Sequence, residues 1–279
     1  GMQVSPFFAP FNQLEQQVLN QGSALYQSDP SVIVIAARLE ELAPPLVERF
    51  VSLAQEDVIT EIANVTERAR SLVQGIRQHS QATVLVFNFA PPGHLAAGLA
   101  DTGLGLSQTS AIQQANDQLA QVCKSQSGAF VFNYAHLVTE SGQRNWQDPK
   151  LWYLGRIPMS SHAQLETGKS LSRYIRAAKF PASKCLVIDL DNTLWGGVIS
   201  EEGVGGIALG EEYPGSVYKA FQSRLLSLRD QGTLLAIASK NNEADALEVF
   251  EKHSDCVLSL GDFAARQIHW NDKASSLKA

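Results

Sequence analysis

The residues best placed to do chemistry in this chain are two aspartates set two apart, Asp189 and Asp191, which follow directly on the apolar run Cys185-Leu-Val-Ile188. A short apolar run of this kind reads as a strand covered on both faces in a parallel sheet, and ligands of such sheets sit beyond the carboxyl ends of the strands. Both carboxylates are therefore expected at the functional edge of a sheet, with a turn beginning at Asn192 letting them converge on one ligand. Clustered carboxylates repel and desolvate each other, so they need a cation or a shared proton. Mg²⁺, a hard ion that takes oxygen ligands and keeps some of its waters, suits them. One aspartate could attack a phosphoryl group while the other carries a proton.

Other elements must hold these residues in place. A second apolar run, Leu234 to Ala238, ends at Ser239, and Lys240-Asn241 then falls at the start of the next helix, where backbone amides would favour an anion. By itself a serine there caps a helix more often than it binds phosphate. The helix expected from Ser216 to Asp230 sets Val217, Phe221, Leu225 and Leu228 on one face, and Ala244, Leu247 and Phe250 repeat that spacing in the next helix. Both faces read as packing surfaces over a sheet. The chain divides near Pro181, where a helical segment from Ala163 to Lys179 gives way to the strand at Cys185. Upstream, Val32 to Ala36, a long amphipathic stretch to Gln78, Thr83 to Phe87, a helix from Gln108 to Ser125, and Ala129 to Phe132 alternate as strands and helices. That alternation implies a mostly parallel sheet. The expected fold class is α/β, with two three-layer αβα domains spanning residues 2–180 and 181–279.

Composition narrows the class. The 279 residues are 44% hydrophobic with a net charge of −6, enough for two domains with real cores, and the mild acidity argues against nucleic acid as a partner. Three scattered cysteines without metal-type spacing exclude a disulfide framework or zinc site, and Cys185 reads as a small core residue. The longest apolar runs fall far below the roughly 20 residues of a membrane span, and no secretory signal stands at the N-terminus, so a cytoplasmic protein is expected. Gly93-His94, Gly103-Leu-Gly105 and Glu201-Glu202-Gly203 read as solvated connections.

The stretch Asp189-Leu-Asp-Asn-Thr193 resembles motif I of the haloacid dehalogenase (HAD) superfamily. Asp189 to Val198, Gly232 to Glu243, Asp262-Phe-Ala-Ala265 and Trp270-Asn-Asp-Lys273 together resemble the FkbH-like branch in order and spacing. The resemblance implies a Rossmannoid C-terminal domain that acts on a phosphorylated small molecule as a Mg²⁺-dependent phosphohydrolase or phosphotransferase. Asp189 would be the nucleophile and Asp191 the general acid/base, both also holding the metal. Thr193 would brace the motif I loop, Ser239 would bind a phosphoryl oxygen, and Lys273, with Lys278 as the alternative, would neutralise the phosphate. Trp195-Gly196-Gly197 would form a small flap shaping the pocket.

Two departures keep other readings open. The acidic pair of motif IV, which completes the metal site, should follow a further helix and strand, and no Asp-Asp pair occurs in the sequence. That makes the domain read as truncated and favours a non-catalytic interaction module. Relatives that move a glyceryl group from an acyl phosphate to an acyl carrier protein carry Cys between the two aspartates; Leu190 in this chain argues against that reaction and that partner. The region before residue 180 resembles the SGNH-hydrolase-like domain of FkbH-like proteins through Asn88-Phe-Ala-Pro-Pro and Asn116. No Gly-Asp-Ser nucleophile block is present, so esterase activity is not expected, and His162 reads as a cap, loop or interface residue.

Overall fold

In the computed structural model, which describes residues 4–180 and 183–272, each half of the chain builds a three-stranded parallel sheet. The halves are two compact units, Gly1–Phe180 and Pro181–Ala279. Among the described residues no helix is long and apolar enough to cross a membrane.

The first unit pairs β1 (Val32–Ile35), β2 (Thr83–Phe87) and β3 (Ala129–Phe132) in that order. The strands are β-branched and aromatic, and parallel neighbours need a crossover, here supplied by α1 (Gln55–His79) and α2 (Gln108–Lys124). On α1, Val58, Ile62, Val65, Ala69, Leu72, Val73 and Ile76 are buried at three- and four-residue spacing against Val84 and Val86 of β2 and Ile112 and Leu119 of α2. The alternate residues of β2, Leu85 and Phe87, face the other way. With Phe132 they pack against Leu137 of α3 (Tyr134–Ser141) and Leu171 and Tyr174 of α4 (Ser161–Lys179). This sheet is therefore covered on both sides.

The second unit orders β4 (Cys185–Ile188), β5 (Leu234–Ser239) and β6 (Phe263–Ile268) side by side, with α5 (Gly215–Asp230) and α6 (Glu243–Lys252) as the crossovers. Its core gathers Ile188, Leu190, Leu194 and Trp195 with Leu225, Leu235, Ile237, Val249 and Phe263. Four expectations fail here. Strand β4 is not covered on both faces: Cys185, Leu186 and Val187 are exposed and only Ile188 is buried, and among the described residues β4 pairs with β5 alone. Cys185 is accordingly an exposed thiol and not a core residue. The buried line of α5 is also rotated from the expected one. Val217 and Phe221 are exposed, and Gln222 and Leu225 are buried, with Tyr218 and Leu226 packed alongside. On α6 it is Ala246 and Val249 that are buried, while Ala244 is exposed.

A buried polar residue explains the rotation of α5. Gln222 is fully inaccessible: its Nε2 donates to Leu194 O at 2.8 Å, and its Oε1 accepts from Val257 N at 2.9 Å and Leu258 N at 3.2 Å. A polar side chain cannot be removed from water without such partners, and apolar periodicity alone does not register it. In the first unit, Asp101 does similar work. It is 1% exposed, and its carboxylate accepts from the Gln108 and Thr109 N–H groups and the Thr109 hydroxyl at the start of α2. Burial pushes its pKa up, but hydrogen bonds from Gln108, Thr109 and Ser107 outweigh this and hold the carboxyl below its usual range.

Two outcomes follow from these buried groups. Gln222→Leu strands three backbone groups, and urea unfolding of the second unit should show a loss of about 3 kcal/mol. Asp101 stabilises the folded state only when ionised. Its contribution should be complete above the ordinary aspartate pKa of about 4 and lost as pH falls below it. Unfolding of Asp101→Asn compared with the parent chain at neutral pH and near pH 3 should show a deficit that narrows in acid.

Candidate functional site

The parallel register aligns Ile188 of β4 with Ile237 of β5, so Asp189 and Ser239 emerge together at the carboxyl edge of the second sheet. The Ser239 hydroxyl donates to Asp189 Oδ1 at 2.6 Å, and the Leu190 N–H donates to the same oxygen at 2.9 Å. Ser239 is 4% exposed, and its carbonyl accepts from the His269 N–H at 3.1 Å beyond the end of β6, which fixes the backbone under the hydroxyl. Asn241, 1% exposed, donates from Nδ2 to Ser239 Oγ at 3.2 Å.

After Asp189 the chain turns sharply. Asn192 takes the left-handed conformation with φ of 52°, which asparagine tolerates better than most residues. Around it, the Thr193 and Leu194 N–H groups donate to Leu190 O, and Asn192 is bonded twice to Gly197, through its backbone N–H and through its side-chain oxygen. Thr193 thus braces the loop through its backbone; among the described residues no hydrogen bond joins its hydroxyl to Asp189 or Ser239. Asp191 is held differently. Its Oδ1 accepts from the Trp195 indole N–H at 3.0 Å and from the Ile199 N–H at 3.2 Å, leaving Oδ2 as the oxygen outside these bonds.

The segment expected as a flap is built inward. Trp195 is fully buried, edge-on to Phe250 with ring centroids 5.8 Å apart, and serves as a core side chain whose one polar atom tethers Asp191. Gly196 exchanges two hydrogen bonds with Ala208, and a Cβ there would lie 2.7 Å from the Tyr218 ring. Gly197, with φ of 96°, sits in a conformation that disfavours any side chain, and a Cβ there would push against the Glu202 carboxylate. Glu202 belongs to a short helix, Ile199–Glu202, and accepts from the Val198 N–H, so the acidic stretch there is only partly the solvated connection expected.

The structure therefore brings together Asp189 and Ser239 directly, and secures Asp191 from the same loop. Lys273, and its alternative Lys278, lie outside the described residues. The first turn of α6 carries Glu243 and Asp245, and among the described residues no side chain caps its N-terminal amides. Asn241 and Gln222 were not anticipated as site residues. The only sequence signal for Asn241 was its position two residues after Ser239. Among the described residues no group of three or more His, Cys, Asp or Glu side chains gathers as a metal site. The donor atoms that Asp189 and Asp191 offer at this edge are nevertheless all oxygen, the ligand type that Mg²⁺ takes.

Two of the three thiols are chemically quiet: burial pushes Cys123 and Cys256 each up to about 11. In the first unit, a cleft of about 90 Å³ opens at the carboxyl ends of its strands, lined by Arg38, Phe87, Phe89, Tyr134 and Trp146 among others. The amides near it are already committed. Asn88 donates to Asn133 Oδ1 and accepts from the Ala135 N–H, and Asn116 bonds both the N–H and the carbonyl of Phe89. His162 is exposed in the first turn of α4.

Comparison with known proteins agrees with this picture. Residues 1–165 match the model of the FkbH N-terminal domain, more than half of the chain. A crystal structure of the N-terminal part of a Bacteroides fragilis protein, containing a phosphatase domain complexed with Mg, superposes with a TM-score of 0.79 at 26% identity, covering 97% of this chain and 70% of that one. No curated protein matches the chain. With motif I and the motif II serine joined in space at the end of the second sheet, the chain belongs to the FkbH family and is an FkbH-like protein of the HAD type.

Proposed function

We propose that the second unit is a Mg²⁺-dependent phosphohydrolase or phosphotransferase acting on a phosphorylated small molecule through an aspartyl phosphate on Asp189. The observation that carries this reading is the 2.6 Å hydrogen bond from the Ser239 hydroxyl to Asp189 Oδ1. A hydroxyl so placed can turn from the carboxylate to an oxygen of a phosphoryl group attached there. The similarity to a phosphatase domain complexed with Mg supports the same reading.

In this mechanism a carboxylate oxygen of Asp189 attacks phosphorus and the ester bond to the leaving group breaks. Protonated Asp191 gives its proton to the departing oxygen. Asp191 then takes a proton from an attacking water, the bond between phosphorus and Asp189 breaks, and phosphate is released. The Trp195 and Ile199 N–H groups hold Asp191 by one oxygen, so the other is presented in a fixed direction. Asp189 would hold the metal, and Asp191 would do so through an atom other than the oxygen that carries the proton; the metal would add positive charge against the phosphoryl oxygens. The family resemblance assigns Lys273 a similar neutralising role. We read the first unit as an SGNH-like scaffold without hydrolytic activity, since Asn88 and Asn116 spend their amides on neighbouring backbone and side-chain groups. The reaction is placed in the cytoplasm, where Cys123, Cys185 and Cys256 would stay as thiols.

Two other readings are tested alongside. Glyceryl transfer to an acyl carrier protein is disfavoured because position 190 between the aspartates faces the core, fully inaccessible, and offers nothing to a substrate. A non-catalytic interaction module is the second reading, and among the described residues no group of three or more His, Cys, Asp or Glu side chains gathers at the site.

Phosphate release from an aryl phosphate should require Mg²⁺ and stop on chelation. Asp189→Asn should lower it at least about a hundredfold, and Asp191→Asn by about a hundred- to ten-thousandfold. Full activity of Asp189→Asn would reject the nucleophile. An acyl adduct on either protein, seen by intact mass after mixing with a three-carbon acyl phosphate and carrier protein, would establish the transfer reading instead. Partner capture that survives Asp189→Asn, with no turnover, would establish the module.

A further inference from the structure

We propose that Asn241 is a positioning residue of this site, acting through Ser239; the inference rests on the phosphoryl-transfer reading. The Ser239 hydroxyl has one proton, and at 2.6 Å from a carboxylate oxygen it must donate there. Its remaining contact, 3.2 Å from Asn241 Nδ2, must therefore be one in which it accepts. Asn241 thus fixes the rotor of the hydroxyl: with a lone pair engaged by the amide, the proton points to the edge where Asp189 lies.

The other end of the amide shows that fold stability alone does not set this arrangement. Among the described residues Asn241 Oδ1 is buried and meets no hydrogen-bond donor, an uncommon state for a native polar atom. Elsewhere in this unit the buried amide Gln222 has both ends satisfied. The apolar near-isostere leucine would avoid the desolvation of Asn241 altogether. An asparagine that leaves one end unpaired so that the other can hold Ser239 is a residue kept at a stability cost, the pattern found where function governs the choice. When a phosphoryl group sits on Asp189, the same amide N–H keeps Ser239 from rotating away and leaves its proton for the phosphoryl oxygen.

The test uses the full chain with p-nitrophenyl phosphate and Mg²⁺. Asn241→Leu should lower kcat about tenfold with KM changed less than about twofold, while the melting temperature stays level or rises. In a Ser239→Ala background the same substitution should have almost no further effect on kcat, because the group it acts through is gone. Should Asn241→Leu fail to fold, Asn241→Ala carries the same cycle. Unchanged kcat, a loss of activity that tracks a fall in melting temperature, or an effect that simply adds to that of Ser239→Ala would each overturn the inference. If the parent chain turns over no phosphate ester, titration calorimetry with beryllofluoride and Mg²⁺ replaces the rate. Binding weakened about tenfold by Asn241→Leu would uphold the role, equal binding would overturn it, and no binding by the parent would reject the phosphoryl-transfer reading together with this one.

Discussion

The register between β4 and β5 is the constraint on which the site depends. Asp189 and Ser239 are 50 residues apart in sequence and share a hydrogen bond only because Ile188 lies opposite Ile237. In a strand pair a slip of one residue sends every side chain to the opposite face, which would bury one of the two groups and turn the other away. What fixes the register is apolar: Ile188 on one strand and Leu235 and Ile237 on the other share the core with Val249 and Phe263. The chemistry at the edge is thus specified by hydrophobic packing a few ångströms below it.

Above that register, buried polar groups set the finer geometry. Gln222 connects the loop at Leu194 with the segment at Val257 and Leu258, so the turn that carries Asp191 is tied to the approach to β6. Trp195 adds a second tie, from the core to the Asp191 carboxylate. Each bond is modest in net terms, yet each would leave an unpaired group behind if lost, and that asymmetry gives the loop one conformation.

Much of this was legible in the sequence, and the failures have a common cause. The strand ending in Asp189, the serine closing the next strand and the division near Pro181 all follow from apolar runs bounded by polar residues, a signal that periodicity reads well. The misreadings arose where periodicity carries no information. Val217 and Phe221 fit the expected face of α5 by spacing, yet the helix is turned so that Gln222 can satisfy three buried backbone groups. The apolar run of β4 reads as covered, but among the described residues it pairs with β5 alone, and strand order is a property of the whole sheet. The small flap that the resemblance implies at Trp195-Gly196-Gly197 places its indole inward, with the N–H on Asp191. Asn241 was passed over because its meaning lies in one distance to Ser239.

The long sequence separations within the site also bear on how the protein folds. Asp189 meets Ser239 across 50 residues, and Gln222 meets Leu194 and Val257 across 28 and 35. Such non-local contacts close late, after the crossover helices have formed and the entropy of large loops has been lost. Asp189 and Ser239 meet only when β4 and β5 pair, whereas Asp191 is held by Trp195 and Ile199 of its own loop. Joining Asp189 to Ser239 is thus part of completing the sheet, and any opening that parts β4 from β5 dismantles the chemistry with it.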